Sequence, residues 1–370
     1  MRIPLSSPDI SQADIDAVVA VLKTPTLSLG PKLPEFEQKL AAYIGCRHAV
    51  VLNSGTSALH LSVRALGIGP GDEVITTPFS FVASANCMLF EGACPVFVDI
   101  DPTDYNIDVA QIEGAITDQT KAILAVDVFG RPARLDEIEE IARRHDLLLI
   151  EDSCEAIGST YKGRRAGSFG ECGHCAFYPN KQMTTGEGGA IVTNNDELAA
   201  LARSMRNQGR GEGGGWLAHE RLGYNYRLSD INCALGISQL ARMDRFVAAR
   251  AAVAERYNRL LADMDEVVTP APYADGVMSW FVYVIRLADR FGRDRRDALI
   301  HGLRERGIGA SNYFSPIHLQ PFYREMYDYA EGDFPVTEFV SDRTVALPFH
   351  NNLSADDQQT VVNAVRDLLA

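Results

Sequence analysis

Apolar residues at helical spacing open the chain and predict two helices. Ser11 and Asp14 have the spacing of a capping box, which marks a helix start. Four apolar residues then fall on one helical face: Ile15, Val18, Val19 and Leu22. A second helix carries Phe36, Leu40, Tyr43 and Ile44, and Gly45 supplies a left-handed stop.

From residue 49 onward, short apolar runs alternate with helical patterns. The strand-like runs cover residues 49–52, 73–77, 95–100, 122–126, 147–151, 174–178 and 189–193, and the helical patterns cover 56–66, 83–90, 109–116 and 135–145. Short strands separated by helices predict an α/β fold with a mainly parallel sheet covered on both faces. Ligands of such sheets bind beyond the carboxyl ends of the strands, so the residues that follow the strands are the first candidates for a binding site.

The length of 370 residues and the later pattern predict a second, smaller domain. A glycine-rich break at 209–215 is a candidate mobile loop, and one long helical pattern over 229–264 would bridge the domains. A strand at 280–287 and helices at 294–306 and 355–369 predict an α+β C-terminal domain. We place the large domain at 1–245 and the small domain at 246–370.

Composition narrows the function classes. The net charge of −14 repels phosphate backbones at long range, which argues against nucleic-acid and anionic-membrane partners. With no apolar run of about 18 residues, the chain is expected to be cytoplasmic. The seven scattered cysteines do not predict a disulfide framework. Because Cys172-Gly173-His174-Cys175 lacks a second ligand pair for zinc, no metal site is predicted.

Three loops that follow strands carry candidate chemistry. Gly55 and Thr56 stand between a strand and a helix, where free N–H groups hold a phosphate well or simply cap the helix. Asp152 ends a buried strand, where a cationic partner or a role as helix cap would explain it. Lys181 is a lone cation in a loop between two strands, either solvated or sheltered enough to bind a carbonyl group covalently.

Together the three loops supply what pyridoxal phosphate needs: a phosphate cradle, an acid for the ring nitrogen and an amine for the aldehyde. Phe81 follows the second strand and could stack on the ring or pack in the core. The sequence therefore predicts a pyridoxal-phosphate enzyme.

These segments make the sequence recognisable. Over nearly its whole length the chain resembles the DegT/DnrJ/EryC1/StrS family of sugar aminotransferases, which have the fold-type-I architecture of aspartate aminotransferase. The most specific segments are 53–61, 78–86, 151–158, 177–189 and 223–236. The resemblance implies a fold-type-I transferase with a mainly parallel seven-stranded sheet and a smaller α+β domain.

The resemblance also implies roles for single residues. Lys181 matches the covalent anchor, Asp152 the partner of the pyridine nitrogen, and Phe81 the stacking aromatic. Gly55 and Thr56 match the phosphate-binding turn. Asn225 matches an asparagine that reaches the phosphate of a neighbouring subunit, which implies a homodimer with shared active sites.

Two positions depart from the family pattern. Glu155 stands where a glutamine often contacts the ring hydroxyl, and a carboxylate there would crowd the phenolate. Ala176 stands where a serine often donates to the phosphate, so that contact must be missing or replaced.

The implied reaction moves an amino group from an amino acid, expected to be glutamate, to a keto sugar, expected to be nucleotide-linked. Candidate substrate residues are Lys32, Arg210, Arg227, Tyr313 and His318, and each has a surface or structural role as its alternative. An aminocyclitol aminotransferase, a sugar dehydratase and a non-enzymatic regulatory protein remain alternatives on the same scaffold. Retention of Lys181 argues against the dehydratase, whose family members carry histidine there.

Overall fold

The computed structural model describes residues 2–211, 215 and 217–370. Residues 212–214 of the predicted glycine-rich loop lie outside the described residues. The helices are α1 (Gln12–Leu22), α2 (Lys32–Ile44), α3 (Gly55–Ala65), α4 (Ala83–Leu89), α5 (Val109–Ile112), α6 (Leu135–Arg144), α7 (Asp196–Arg206), α8 (Asp230–Leu240), α9 (Met243–Leu261), α10 (Arg293–Glu305), α11 (Pro321–Tyr327), α12 (Pro335–Ser341) and α13 (Ala355–Leu369).

A seven-stranded sheet forms the centre of the N-terminal part of the chain, as predicted. Its strands are β1 (His48–Leu52), β2 (Glu73–Thr76), β3 (Cys94–Phe97), β4 (Thr120–Val126), β5 (Leu148–Asp152), β8 (Cys172–Ala176) and β9 (Gly189–Thr193), while β6 (Thr160–Tyr161) and β7 (Arg164–Arg165) form a separate hairpin. The order is β1-β9-β8-β5-β4-β2-β3, and only β9 runs against its neighbours. The polar residues that follow β2, β4, β5 and β8 therefore meet at one edge.

The first two helices form where the sequence predicts them. The capping box of Ser11 and Asp14 starts α1, and Gly45 ends α2 with a φ of 88°. The apolar face of α1, however, points away from the core: Ile15, Val19 and Leu22 are exposed, while Val21 is buried.

The helical pattern predicted as one element over 229–264 is divided into α8 and α9, so the prediction of one continuous helix was wrong. Arg242 sits at the division with non-helical dihedrals, and its guanidinium forms ion pairs with Asp9 and Asp14. These contacts hold the turn between the two helices, a tertiary effect that helical periodicity does not record.

The C-terminal part has its own core around a small antiparallel sheet. Strands β10 (Val267–Val268), β11 (Tyr283–Leu287) and β12 (Thr344–Leu347) pair in that order, and α9, α10 and α13 contribute to the apolar cluster beside them. Helix α9 also contributes Phe246 to the core beside α2. A boundary at residue 245 would therefore fall inside α9, and the division into domains stays a prediction. None of the described helices is long and apolar enough to cross a membrane.

Candidate active site

A cavity of about 630 Å³ opens at the carboxyl edge of the large sheet. Residues that follow β1, β2, β5 and β8 line it, and residues 311–315 of the C-terminal part close one side. Seven of the predicted site residues line this one cavity: Gly55, Thr56, Phe81, Asp152, Glu155, Lys181 and Tyr313. The structure thus brings the amine of Lys181, the carboxyl group of Asp152 and the start of α3 together.

The start of α3 offers free donors to the cavity. Ser54 caps the helix by accepting a hydrogen bond from the amide of Ser57, which leaves the amides of Gly55 and Thr56 without a partner among the described residues. A side chain at residue 55 would clash, because its Cβ would lie 2.9 Å from the Cβ of Ala176. Gly55 and Ala176 therefore keep this helix start open to an anion.

Two donors fix the carboxylate of Asp152 at the end of β5. The hydroxyl of Ser84 donates to Oδ2 over 2.6 Å, and the amide of Cys154 donates to Oδ1 over 3.2 Å. Ser84 in turn lies 2.8 Å from the hydroxyl of Ser80. Ser84 was not predicted as a site residue, although it lies within the family-specific segment 78–86 that follows β2.

The amine of Lys181 is enclosed by an acid and an aromatic ring. Its Nζ atom lies 3.3 Å from Oε1 of Glu155 and 3.8 Å from the centre of the Phe281 ring. Arg250 holds the backbone of the same residue by donating to its carbonyl over 3.2 Å. Phe281 and Arg250 were not predicted, because each is distant from Lys181 in sequence and reaches it only through tertiary packing.

Glu155 is buried, and both of its carboxylate oxygens are used. Oε2 accepts a hydrogen bond of 3.0 Å from the amide of Phe129, while Oε1 faces Lys181. Burial raises the pKa of Glu155, and the charge of Lys181 opposes that shift. Tyr313 lines the same cavity, and burial raises its pKa to about 12, so it is a neutral phenol.

Four other predicted residues lie outside the cavity of their own chain. Asn225 is exposed, and its backbone pairs with that of Asn207 in an isolated antiparallel β-bridge. Arg210 and Arg227 both donate to Oδ1 of Asn207, over 3.4 Å and 3.1 Å. Lys32 pairs with Glu35 within α2.

The predicted place of His318 in the sugar pocket is not supported by its position. The side chain is fully buried, its Nε2 atom lies 3.1 Å from Glu338, and its ring packs against Phe334 and Tyr329. Burial lowers the pKa of this imidazole. His318 therefore packs within the C-terminal part, and it does not line the cavity described above.

Comparison with known proteins decides the family. The sequence model of the DegT/DnrJ/EryC1/StrS aminotransferase family matches residues 8–366. The chain belongs to this family. It is therefore a transferase, and the cofactor on which these aminotransferases depend is pyridoxal phosphate.

Three relatives align with the whole chain. GDP-perosamine synthase of Caulobacter vibrioides is 40% identical over 370 residues, covering 100% of this chain and 98% of that protein. The structure of Helicobacter pylori PseC, an aminotransferase involved in the biosynthesis of pseudoaminic acid, matches with 31% identity and a TM-score of 0.94, covering 100% of this chain and 99% of that one. DesV of S. venezuelae matches with 35% identity and a TM-score of 0.92, covering 100% and 98%.

The residues of this family member fit pyridoxal phosphate. The unpaired amides of Gly55 and Thr56 suit the phosphate, and the amine of Lys181 reaches the same cavity as the acid Asp152. The side-chain oxygen of Asn180, buried without a partner among the described residues, adds an acceptor beside Lys181. The cavity therefore holds the three kinds of group that this cofactor requires.

Proposed function

We propose that this enzyme transfers an amino group from glutamate to a nucleotide-linked keto sugar. The single observation that carries the proposal is the convergence of Lys181, Asp152 and the start of α3 on one cavity of about 630 Å³. A cavity of this size accepts the cofactor together with a further small ring.

The residues divide the work of transamination. When bound, pyridoxal phosphate supplies the electron sink for the charge left on the donor carbon. Lys181 anchors the cofactor, and its freed Nζ atom takes and returns the proton of the donor α-carbon. Asp152 holds a proton at the ring nitrogen, and Ser84 and the amide of Cys154 keep that carboxylate oriented. Phe81 lies at the cavity edge, where it can stack on the ring.

Two observations favour a phosphate-bearing acceptor. The guanidinium groups of Arg210 and Arg227 meet at Asn207, which concentrates positive charge on a protein whose net charge is −14. One relative carries a nucleotide in its name, GDP-perosamine synthase. We propose that these arginines, with Lys32, capture the diphosphate, and that Tyr313 contacts the sugar.

A product assay tests the acceptor. The enzyme is given glutamate carrying an isotopically labelled amino nitrogen, together with a nucleotide-linked keto sugar or a keto-cyclitol in parallel. We expect labelled amino sugar and 2-oxoglutarate in equal amounts from the first mixture. Label in the cyclitol alone would identify an aminocyclitol aminotransferase, and label in neither acceptor would reject the proposed function.

We also propose a homodimer in which Asn225 completes the phosphate site of the neighbouring subunit. Asn225 is exposed and outside its own cavity, while Phe81 and Tyr178 at the cavity mouth are 60% and 52% exposed in the single chain. Mixing the inactive Lys181→Ala and Asn225→Ala variants and letting subunits exchange tests this. Recovery of activity in the mixture supports shared sites, whereas inactive mixed dimers exclude them.

A further inference from the structure

Glu155 holds a fixed orientation because a backbone donor occupies one side of its carboxylate. The amide of Phe129 donates to Oε2, and the carbonyl of Phe129 accepts from the amide of Phe281, so the loop after β4 is held in turn. Oε1 can therefore face only Lys181, at 3.3 Å. Both side chains are nearly enclosed, with 9% and 13% of their surfaces exposed.

A carboxylate and an amide act differently at this position. The Phe129 amide demands an acceptor, so a glutamine here would turn its oxygen to Phe129 and its NH₂ group to Lys181. An NH₂ group repels an ammonium and favours a neutral amine. A carboxylate does the reverse, because it attracts the ammonium and can also accept its proton.

We propose that Glu155 stabilises the ammonium that Lys181 forms when its Nζ atom takes the donor's proton. Oε1 accepts a charge-assisted hydrogen bond from that ammonium over 3.3 Å, which favours transfer of the proton from the donor carbon to Nζ. In cofactor-free protein the same contact holds the free amine as an ammonium. The inference deepens the proposed transamination and rests on it.

The charges around the pair are compatible with this ion pair. Burial raises the pKa of Glu155, Lys181 lowers it, and Asp152 on β5 raises it further. Tyr313, from the C-terminal part, is neutral, and Arg250 of α9 is directed to backbone carbonyls rather than to the carboxylate. Lys181 is therefore the cation that the Glu155 carboxylate faces.

The test measures the reactivity of the Lys181 amine in cofactor-free protein. Apo-protein is treated briefly with a neutral acylating reagent between pH 6 and 11, and acylation of Lys181 is quantified by mass spectrometry against the exposed Lys121 in the same sample. We expect Glu155→Gln to raise Lys181 labelling at least about tenfold at neutral pH. Loss of a nearby negative charge moves the equilibrium between ammonium and neutral amine toward the reactive neutral amine by about this factor.

Glu155→Asp is the matched control, because it keeps a carboxylate with a shorter reach. It should leave Lys181 closer to the parental reactivity than Glu155→Gln does, while circular dichroism confirms that both variants fold. Equal labelling of Lys181 in parental and Glu155→Gln protein would overturn the proposal. Because apo-protein and no substrate are used, this result is independent of whether the acceptor is a nucleotide sugar.

Discussion

Arg250 donates a hydrogen bond of 3.2 Å from its guanidinium to the backbone carbonyl of Lys181. The same group donates to the carbonyls of Trp280 and Phe281, so one buried side chain joins the loop that contains Lys181 to the segment before β11. Burial lowers the pKa of this arginine to about 10, which still leaves it charged at neutral pH. Arg250 is therefore a positioning residue for Lys181.

Replacing Arg250 with methionine should damage stability and catalysis together. Three backbone carbonyls, one of them fully buried, would lose their donor, and each loss costs about 1 kcal/mol. We expect the free energy of unfolding to fall by roughly 3 kcal/mol in urea titrations. Arg250→Lys should recover part of that loss. The control is Arg259→Met on the exposed face of α9, which should change stability by less than about 0.5 kcal/mol; an equal effect of both variants would contradict the assignment.

Lys181→Ala should abolish both covalent cofactor binding and transamination. We expect the visible absorbance of the lysine-bound cofactor to be absent after dialysis, because no other described lysine lines the cavity. Lys121→Ala, an exposed change in β4, should retain the full spectrum and activity. Parental turnover in Lys181→Ala would show that the anchor had been misassigned.

Asp152→Asn should slow turnover while the cofactor phosphate still binds. A charge-assisted hydrogen bond is worth about 1.5–3 kcal/mol, which corresponds to a loss of roughly 10-fold to 150-fold in rate. Ser84→Ala removes one donor from the Asp152 carboxylate and should cause a smaller loss. Steady-state rates at saturating cofactor measure both effects, and unchanged rates in Asp152→Asn would remove its role at the ring nitrogen.

The fold around the seven-stranded sheet was predictable because its signals are local. Each strand of the sheet appears as a short apolar run, and α2 carries its own stop signal at Gly45. The division at Arg242 was not predictable, since ion pairs with Asp9 and Asp14 hold it from more than 200 residues away in sequence. The exposed apolar face of α1 likewise shows that amphipathic spacing predicts a helix but does not predict what its apolar face will contact.

The site was predictable where its residues follow strands. Gly55, Asp152 and Lys181 do so, and the parallel sheet brings them to one edge. Arg250 gave no such signal, because a buried arginine in a helix has the same sequence appearance as a solvated one. His318 shows the converse, since a polar residue that the sequence analysis offered as a substrate contact is buried against aromatic rings.

The carboxyl groups of Asp127 and Glu151 are neighbours with no exposed surface on either, and Oδ2 of Asp127 has no hydrogen-bond donor among the described residues. The amides of Gly167 and Phe169 donate to the two oxygens of Glu151, whereas Oδ2 of Asp127 receives no donor within the described part of the chain, so we expect Asp127 to be the acid that holds a proton. Burial, with the charge of Glu151 next, raises the pKa of Asp127 well above its usual range. Folding therefore takes up a proton at this position.

The proton on Asp127 should make stability fall as pH rises. An acid whose pKa is raised by folding stabilises fully below its unfolded value, near 4, and loses that contribution as pH rises toward the folded value. Asp127→Asn keeps a donor to Glu151 and cannot ionise, so its stability should gain on the parent by at least about 1.4 kcal/mol between pH 5 and 9. Urea titrations across this range measure the difference. Asp127→Ala, which removes the donor, should be less stable than the parent at pH 5, and a pH-independent gap between Asp127→Asn and the parent would show that Asp127 is ionised in the folded enzyme.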